Sequence, residues 1–293
     1  MSVALGNKVK VVCLIVDSSM DFEAYYRRVG GAYDKIAAKY DETVGNRAVS
    51  RRAKQLALEI VTQSTPPGGR LIDIGCYTGI EALLLVERGF RVLGIDMSTE
   101  MIRIAQQKAA RRRVQDRVEF RVMRASDIGH LAADGRPPFD SAYSVYGTLN
   151  LEPDLQRFKE GLSRLLRPGG KFVCGLLNPT VLYELIAGPA VGKFHGFRKL
   201  TRKPVVTGIG LGAETVEAFL YSPQEFERLM APELSLDRTV GLHILYPPPR
   251  GQGGRGLWWV ARAVDRVERR IESRFPFHSL GFFSLLVFHK VLA

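Results

Sequence analysis

The chain has 293 residues, of which 46% are hydrophobic and 25% charged, with a formal net charge of +12. That length carries one α/β domain with a sizeable core and some additions, and leaves two full domains tight. Cys13, Cys76 and Cys174 are an odd number without C-x-x-C spacing, and no two histidines stand at ligand spacing with carboxylates. Neither a disulfide framework nor a metal site is expected, and a reducing, cytoplasmic setting is.

In chain order, residues 1–20 read as a flexible or accessory N-terminus. Their apolar run, Val11 to Val16, is shorter than a signal peptide's core, and Met20 is a candidate start because a helical pattern follows it directly. Residues 21–65 read as an N-terminal helical cap of two or three helices, with Ala48, Ala53, Leu56, Ile60 and Val61 at helical spacing. Pro66-Pro67-Gly68-Gly69 ends it.

Residues 66–178 alternate strand and helix: RLIDIG, IEALLLVERG, RVLGID, TEMIRIAQQKAARRRV, VEFRVMRAS, DSAYSVYG, DLQRFKEGLSRLL and KFVCGLLN. This order predicts a mostly parallel sheet with right-handed crossovers. Residues 179–221, which include a basic stretch KFHGFRKLTRK and a glycine-rich GIGLG, read as a lid insertion over the active site. Residues 222–293 complete the sheet. They open on a capping box, Ser222 with Glu225, and carry an amphipathic helix insertion at 256–274 with an apolar stripe of Leu257, Val260, Val264, Val267 and Ile271.

The chemistry concentrates in LIDIGCYTGIEAL. Gly75 and Gly79 let the backbone approach a ligand, and the helix that follows offers free N–H groups. The six-residue glycine spacing of a nicotinamide fingerprint is absent. Asp96 ends the second strand 21 residues after Gly75, where an acid can hydrogen-bond both ribose hydroxyls of an adenosine. Met97 and Ile128 can wall an adenine, Ser126 and Asp127 can read its amino edge, and Asp73 can accept from an α-ammonium. Each has a plainer reading: Asp96 and Asp127 as helix caps, Cys76 as a small buried filler. The joint spacing favours a cofactor with adenosine and amino-acid ends but no pyrophosphate.

LIDIGCYTGIEAL, RVLGIDMSTEMIRIAQ, RASDI, FDSAYSVYGTLN and LLRPGGKFV together resemble the successive motifs of class I S-adenosylmethionine-dependent methyltransferases. The upstream AYDKIAAKYD resembles the lid of their small-molecule branch, which includes the ubiquinone and menaquinone biosynthesis enzymes. The resemblance implies a doubly wound, Rossmann-like α/β fold with a seven-stranded sheet, order 3-2-1-4-5-7-6, strand 7 antiparallel. It implies S-adenosyl-L-methionine as cofactor, held by Tyr40 (or Tyr33), Asp73, Gly75, Cys76, Tyr77, Thr78, Gly79, Asp96, Met97, Met101, Ser126, Asp127, Ile128 and Tyr146. Tyr77 departs from the pattern, because the middle residue of the family's loop is usually glycine. It fits if its φ is negative and its ring points outward.

The activity expected is in-line methyl transfer to a small, hydrophobic or lipid-like acceptor, with His195 as candidate general base. Two alternatives stand: an RNA methyltransferase, suggested by the basic charge, and a non-catalytic S-adenosylmethionine-binding protein, suggested by Tyr77. Against the first, the fourth strand ends Tyr-Gly-Thr-Leu-Asn, without an Asn-Pro-Pro-aromatic run, and no RNA-binding module is visible. Nucleic acid is therefore not expected as a partner. Peripheral membrane contact by the 256–274 helix is a further expectation.

Overall fold

The computed structural model describes residues 20–45, 48–190, 205–209, 214–245 and 258–292. Helix α1 (Phe22–Ile36) begins at Asp21, whose side chain accepts the Ala24 N–H at 3.1 Å. Short helical turns over residues 37–45 lead to α2 (Ala48–Ser64). Strand β1 (Arg70–Ile74), α3 (Ile80–Glu87), β2 (Arg91–Asp96), α4 (Thr99–Arg112), β3 (Val118–Val122), β4 (Phe139–Ser144), α5 (Leu155–Leu165) and β5 (Leu166–Leu177) follow in alternation. After α6 (Leu182–Ala190), a hairpin of β6 (Val205–Ile209) and β7 (Glu214–Ala218) forms a separate two-stranded sheet. The chain then runs through α7 (Pro223–Met230), β8 (Leu234–Leu242), α8 (Trp258–Ile271) and β9 (Phe283–Lys290).

The main sheet has the order β3-β2-β1-β4-β5-β9-β8, with β9 antiparallel to both its neighbours and the other pairs parallel. This is the predicted order. Successive strand residues face opposite sides, and both sides are apolar. Ile72, Ile74 and Ile95 pack with Phe158 and Leu162 of α5 and Phe226 of α7. Leu71 and Val92 pack with Val61 of α2 and Leu83 of α3 on the other face. A strand buried on both faces reads as a near-continuous hydrophobic run, as β1 and β2 do.

Helix α7 starts with the expected capping box, Ser222 and Glu225 satisfying each other's backbone N–H groups. Helix α8 departs from the expected stripe. Val267 is 48% exposed, and the inward position belongs to Glu268, which is fully buried. Its carboxylate accepts the N–H groups of His243, Ile244 and Leu245 at 2.8, 3.2 and 3.4 Å, and Arg52 lies 3.6 Å away. These amides follow the end of β8, beyond the ladder, so α8 is docked by a polar clamp where the pattern suggested an apolar stripe. Leu257 and the side chain of Val260 lie outside the described residues. No helix among the described residues is long and apolar enough to cross a membrane.

Candidate active site

The site lies at the carboxyl ends of β1, β2 and β4, where parallel strands splay and open α/β sheets bind ligands. Leaving β1, the chain must turn sharply into α3, and Gly75 and Gly79 both take left-handed φ, +76° and +75°. A side chain at Gly75 would meet Thr148 Cγ2 at 2.3 Å, and one at Gly79 would meet the Phe120 ring at 2.6 Å. The Gly75 and Cys76 N–H groups donate to the Ile95 carbonyl at 2.8 and 2.9 Å, tying the turn to β2.

Asp96 is 8% exposed. Oδ1 accepts the Ser98 N–H at 2.9 Å and Oδ2 accepts the Tyr77 N–H at 3.0 Å. Burial lifts its carboxyl to about 6, with the Ser98 and Tyr77 amides opposing the rise. The N-cap of α4 is Ser98, which accepts the Met101 N–H, so Asp96 is not the cap.

Tyr77 has φ +48° and a side chain only 7% exposed. Its ring stacks on Tyr40 with centroids 4.8 Å apart, and Tyr33 and Tyr146 approach at 5.7 and 6.5 Å. Both conditions set by the sequence are reversed: the backbone is left-handed and the ring points inward. The glycine-type turn imposes the first, and the tyrosine cluster offered by the cap imposes the second. Left-handed backbone costs a non-glycine residue about 1–2 kcal/mol, which the buried ring offsets.

A cavity of about 30 Å³ remains between the loop and the cap, room for one or two waters. Gly75, Tyr77, Asp96, Met97 and Tyr33, the alternative to Tyr40, line it among the expected residues, together with Met123, Ala125, Thr148 and Glu152. The others surround it without lining it. Tyr40 backs the Tyr77 ring. Met101 is buried beside both. Cys76 is buried, and burial pushes its thiol up. Thr78 donates to Asp41 of the cap at 2.5 Å, and Lys108 also reaches Asp41 at 2.5 Å.

Asp73 lies under the loop, 3% exposed, its carboxyl held well above the ordinary range by burial. Among the described residues, its Oδ2 and the hydroxyl of neighbouring Tyr143 are buried without a hydrogen-bond partner. Close by, Lys54 pairs with Glu81 at 2.5 Å and sits 5.1 Å over the Tyr146 ring. Ser126 binds the Tyr26 hydroxyl at 3.0 Å. Asp127 turns away to Arg157 at 2.8 Å, and Ile128 is buried in the core against α5. His195 lies outside the described residues.

Sequence reasoning missed Glu152, Met123 and Thr148. Glu152 sits in LNLEPD, where an acid before a helix reads as a cap. The useful signal was its position after the fourth strand, on the ligand-binding edge of the sheet.

The arrangement suits a nucleoside with an amino-acid tail in its frame: an acid at the β2 tip, glycine approaches at Gly75 and Gly79, and an unmet acceptor, Oδ2, at Asp73. In volume it does not yet suit one, because drug-sized ligands occupy roughly 300–1,000 Å³. The buried Tyr77 ring occupies part of the space above the loop.

Comparison with known proteins agrees with this frame. Residues 72–174 match a family described as a methyltransferase domain. Erythromycin 3''-O-methyltransferase of Saccharopolyspora erythraea is 32% identical over 119 residues, 40% of this chain and 37% of its own length. A ubiquinone biosynthesis O-methyltransferase of Xanthomonas axonopodis pv. citri is 29% identical over 206 residues, 65% of this chain and 84% of its own. Among solved structures, the cyclase SpnF superposes with a TM-score of 0.58 at 21% identity, covering 92% of this chain and 97% of its own, a likeness of fold. The strand order, the loop and Asp96 go with the matched segment, and the chain carries a methyltransferase domain over residues 72–174.

Proposed function

We propose that this protein transfers the methyl group of S-adenosylmethionine in line to a small, hydrophobic or lipid-like acceptor. The observation that carries this is the convergence of Gly75, Asp96 and Met97 on one cavity within the methyltransferase segment. The relatives it resembles are named for erythromycin and for ubiquinone biosynthesis, both small molecules. Such a transfer needs positioning, worth roughly 7–11 kcal/mol of the barrier, and no enzymic nucleophile.

On this reading the Tyr77 ring leaves its pocket when the cofactor's methionine end is seated, and Asp73 and Tyr143 then gain polar partners. The cap carries Tyr33 and Tyr40, so the same movement opens the acceptor side. Exposed Arg266, Arg269 and Arg270 on α8 and the net charge of +12 support contact with an anionic membrane that holds a lipid-like acceptor. Flotation with anionic vesicles tests that contact: it is expected at low salt, and its absence there sinks it.

One observation favours a second reading, a cofactor binder without transferase activity. Tyr77 stands where the loop would touch the cofactor, and this fold also serves a cyclase, so fold alone does not decide chemistry. Incubation with methyl-labelled cofactor and fractionated host extract separates the readings. Label in a lipid or metabolite fraction supports the proposal, label in RNA transfers it to nucleic acid, and cofactor binding without label favours the binder.

A further inference from the structure

A second opening lies away from the cofactor site. A groove of about 520 Å³ runs between the first turns of α7 and the turn after α8, along Leu236 to Thr239 of the edge strand β8, and it shares no lining residue with the cavity at the loop. Its volume is within the roughly 300–1,000 Å³ of ligand sites.

Two opposite charges line this groove without pairing. Glu227 of α7 and Arg238 of β8 are both exposed, and neither forms an ion pair among the described residues. The third charged residue of the lining, Asp237, is taken by Lys171 at 2.8 Å and His289 at 2.7 Å. His278 adds a donor. The Ser279 hydroxyl accepts from Gln224 Nε2 at 3.0 Å and gives its own hydrogen to His278 Nδ1 at 2.8 Å, so the neutral ring carries its proton on Nε2. Burial holds this imidazole below its ordinary 6.5, which favours the neutral ring.

The lip of the groove is apolar and basic. Phe275, part of the lining, is 79% exposed, and Val267 and the exposed Arg266, Arg270 and Arg274 belong to the same stretch of chain. The Glu272 carbonyl accepts the Gly241 N–H at 2.7 Å. The lip therefore stands toward the carboxyl end of β8, on the sheet edge that also carries the cofactor loop.

An ammonium and a phosphate on a short linker, attached to apolar chains, complement this layout. The ammonium meets Glu227, the phosphate meets Arg238 and the His278 Nε2–H, and the chains lie against Phe275. We propose that the groove binds the phosphoethanolamine headgroup of a membrane phospholipid. This rests on the membrane contact proposed above and not on the methyl-transfer chemistry.

The test is binding to vesicles that hold the same share of phosphatidylglycerol in a background of either phosphatidylethanolamine or phosphatidylcholine. The choline ammonium has no N–H to donate, so the ethanolamine background is preferred about 3- to 10-fold, the size of one or two exposed ion pairs. Glu227→Gln brings the ratio to within about twofold and keeps the affinity for choline vesicles. Arg266→Gln combined with Arg270→Gln lowers both affinities and leaves the ratio. Soluble O-phosphoethanolamine shifts the His278 ring resonances and competes with the ethanolamine vesicles.

Equal affinity for the two backgrounds overturns the proposal. So does a preference that survives in Glu227→Gln, which assigns it to bilayer packing. A His278 response to soluble phosphoethanolamine without any vesicle preference overturns the lipid as occupant. Binding to neither vesicle is a different result, since it removes the membrane contact itself along with the headgroup.

Discussion

Replacing Tyr77 by glycine separates two roles of that residue. Truncating a large buried aromatic costs about 3–5 kcal/mol, and relief of the left-handed backbone returns about 1–2 kcal/mol. Glycine adds roughly 0.5–1 kcal/mol of unfolded-state entropy. The unliganded variant should therefore be about 2–4 kcal/mol less stable in urea unfolding. Binding moves the other way. In the wild type the ring, 7% exposed, has to leave its contact with Tyr40. That forfeits about 1.5–3 kcal/mol of burial, so the variant binds S-adenosylhomocysteine about 10- to 150-fold more tightly. Calorimetry on the two proteins measures this directly. A variant that loses stability and gains no affinity would refute the displacement argument, because the ring would then be part of the occupied site.

Three other outcomes follow from named contacts. Asp96 has its carboxyl lifted by burial to about 6, so in the folded protein its ionised form is penalised, and the penalty grows as pH rises from the ordinary 3.8 toward 6. On the proposed reading the ribose-binding form is the ionised one. S-adenosylhomocysteine affinity should thus fall about fourfold from pH 7.5 to 5.5, and Asp96→Asn should bind weakly with a flat profile over that window; a titration that persists in the variant assigns it elsewhere. Glu268→Ala strands three backbone amides, while Arg52 keeps Glu272, and should cost about 3–5 kcal/mol, whereas Glu268→Gln, which keeps an acceptor, should cost less. Equal losses by urea unfolding in the two variants would deny the clamp. Asp41→Ala removes the link from the cap to Thr78 and Lys108. Its ion pair is 21% and 37% exposed on the two sides, so the stability loss stays below about 1 kcal/mol. Hydrogen exchange in residues 37–45 and 75–79 should nevertheless quicken, and unchanged exchange argues against a latch.

The sheet was legible because its determinants are local. β1 and β2 are short apolar runs bounded by glycine or an acid, and the turn Arg167-Pro168-Gly169-Gly170 announces β5. The loop was legible for the same reason, since Gly75, Gly79 and Asp96 have meaning at fixed spacing. What eluded sequence reasoning depends on contacts between distant segments. Glu268 lies inside an apparent apolar stripe, and only the amides after β8 explain why a carboxylate is buried there. Glu152 joins the site through Tyr26, 126 positions away, and through the Ser126 amide. Neither partner is implied by periodicity.

Tyr77 combines both cases. Its spacing marked it as a departure from the glycine pattern, yet the sign of its φ and the direction of its ring were set by partners outside the loop. Its N–H donates to Asp96, which holds the turn against β2 in the geometry a glycine would take. Its ring has Tyr33, Tyr40 and Tyr146 to pack on, and those rings come from the cap and from the β4 tip. On the proposed reading the backbone half of the cofactor site is thereby preserved, and the side chain adds a competitor for the volume above it. A substitution that changes only the side chain can therefore tune cofactor affinity without dismantling the frame that recognises the nucleoside. On the proposed displacement of Tyr77, the rings of Tyr40 and Tyr33 lose that partner, and the cap is where a response to the cofactor is expected.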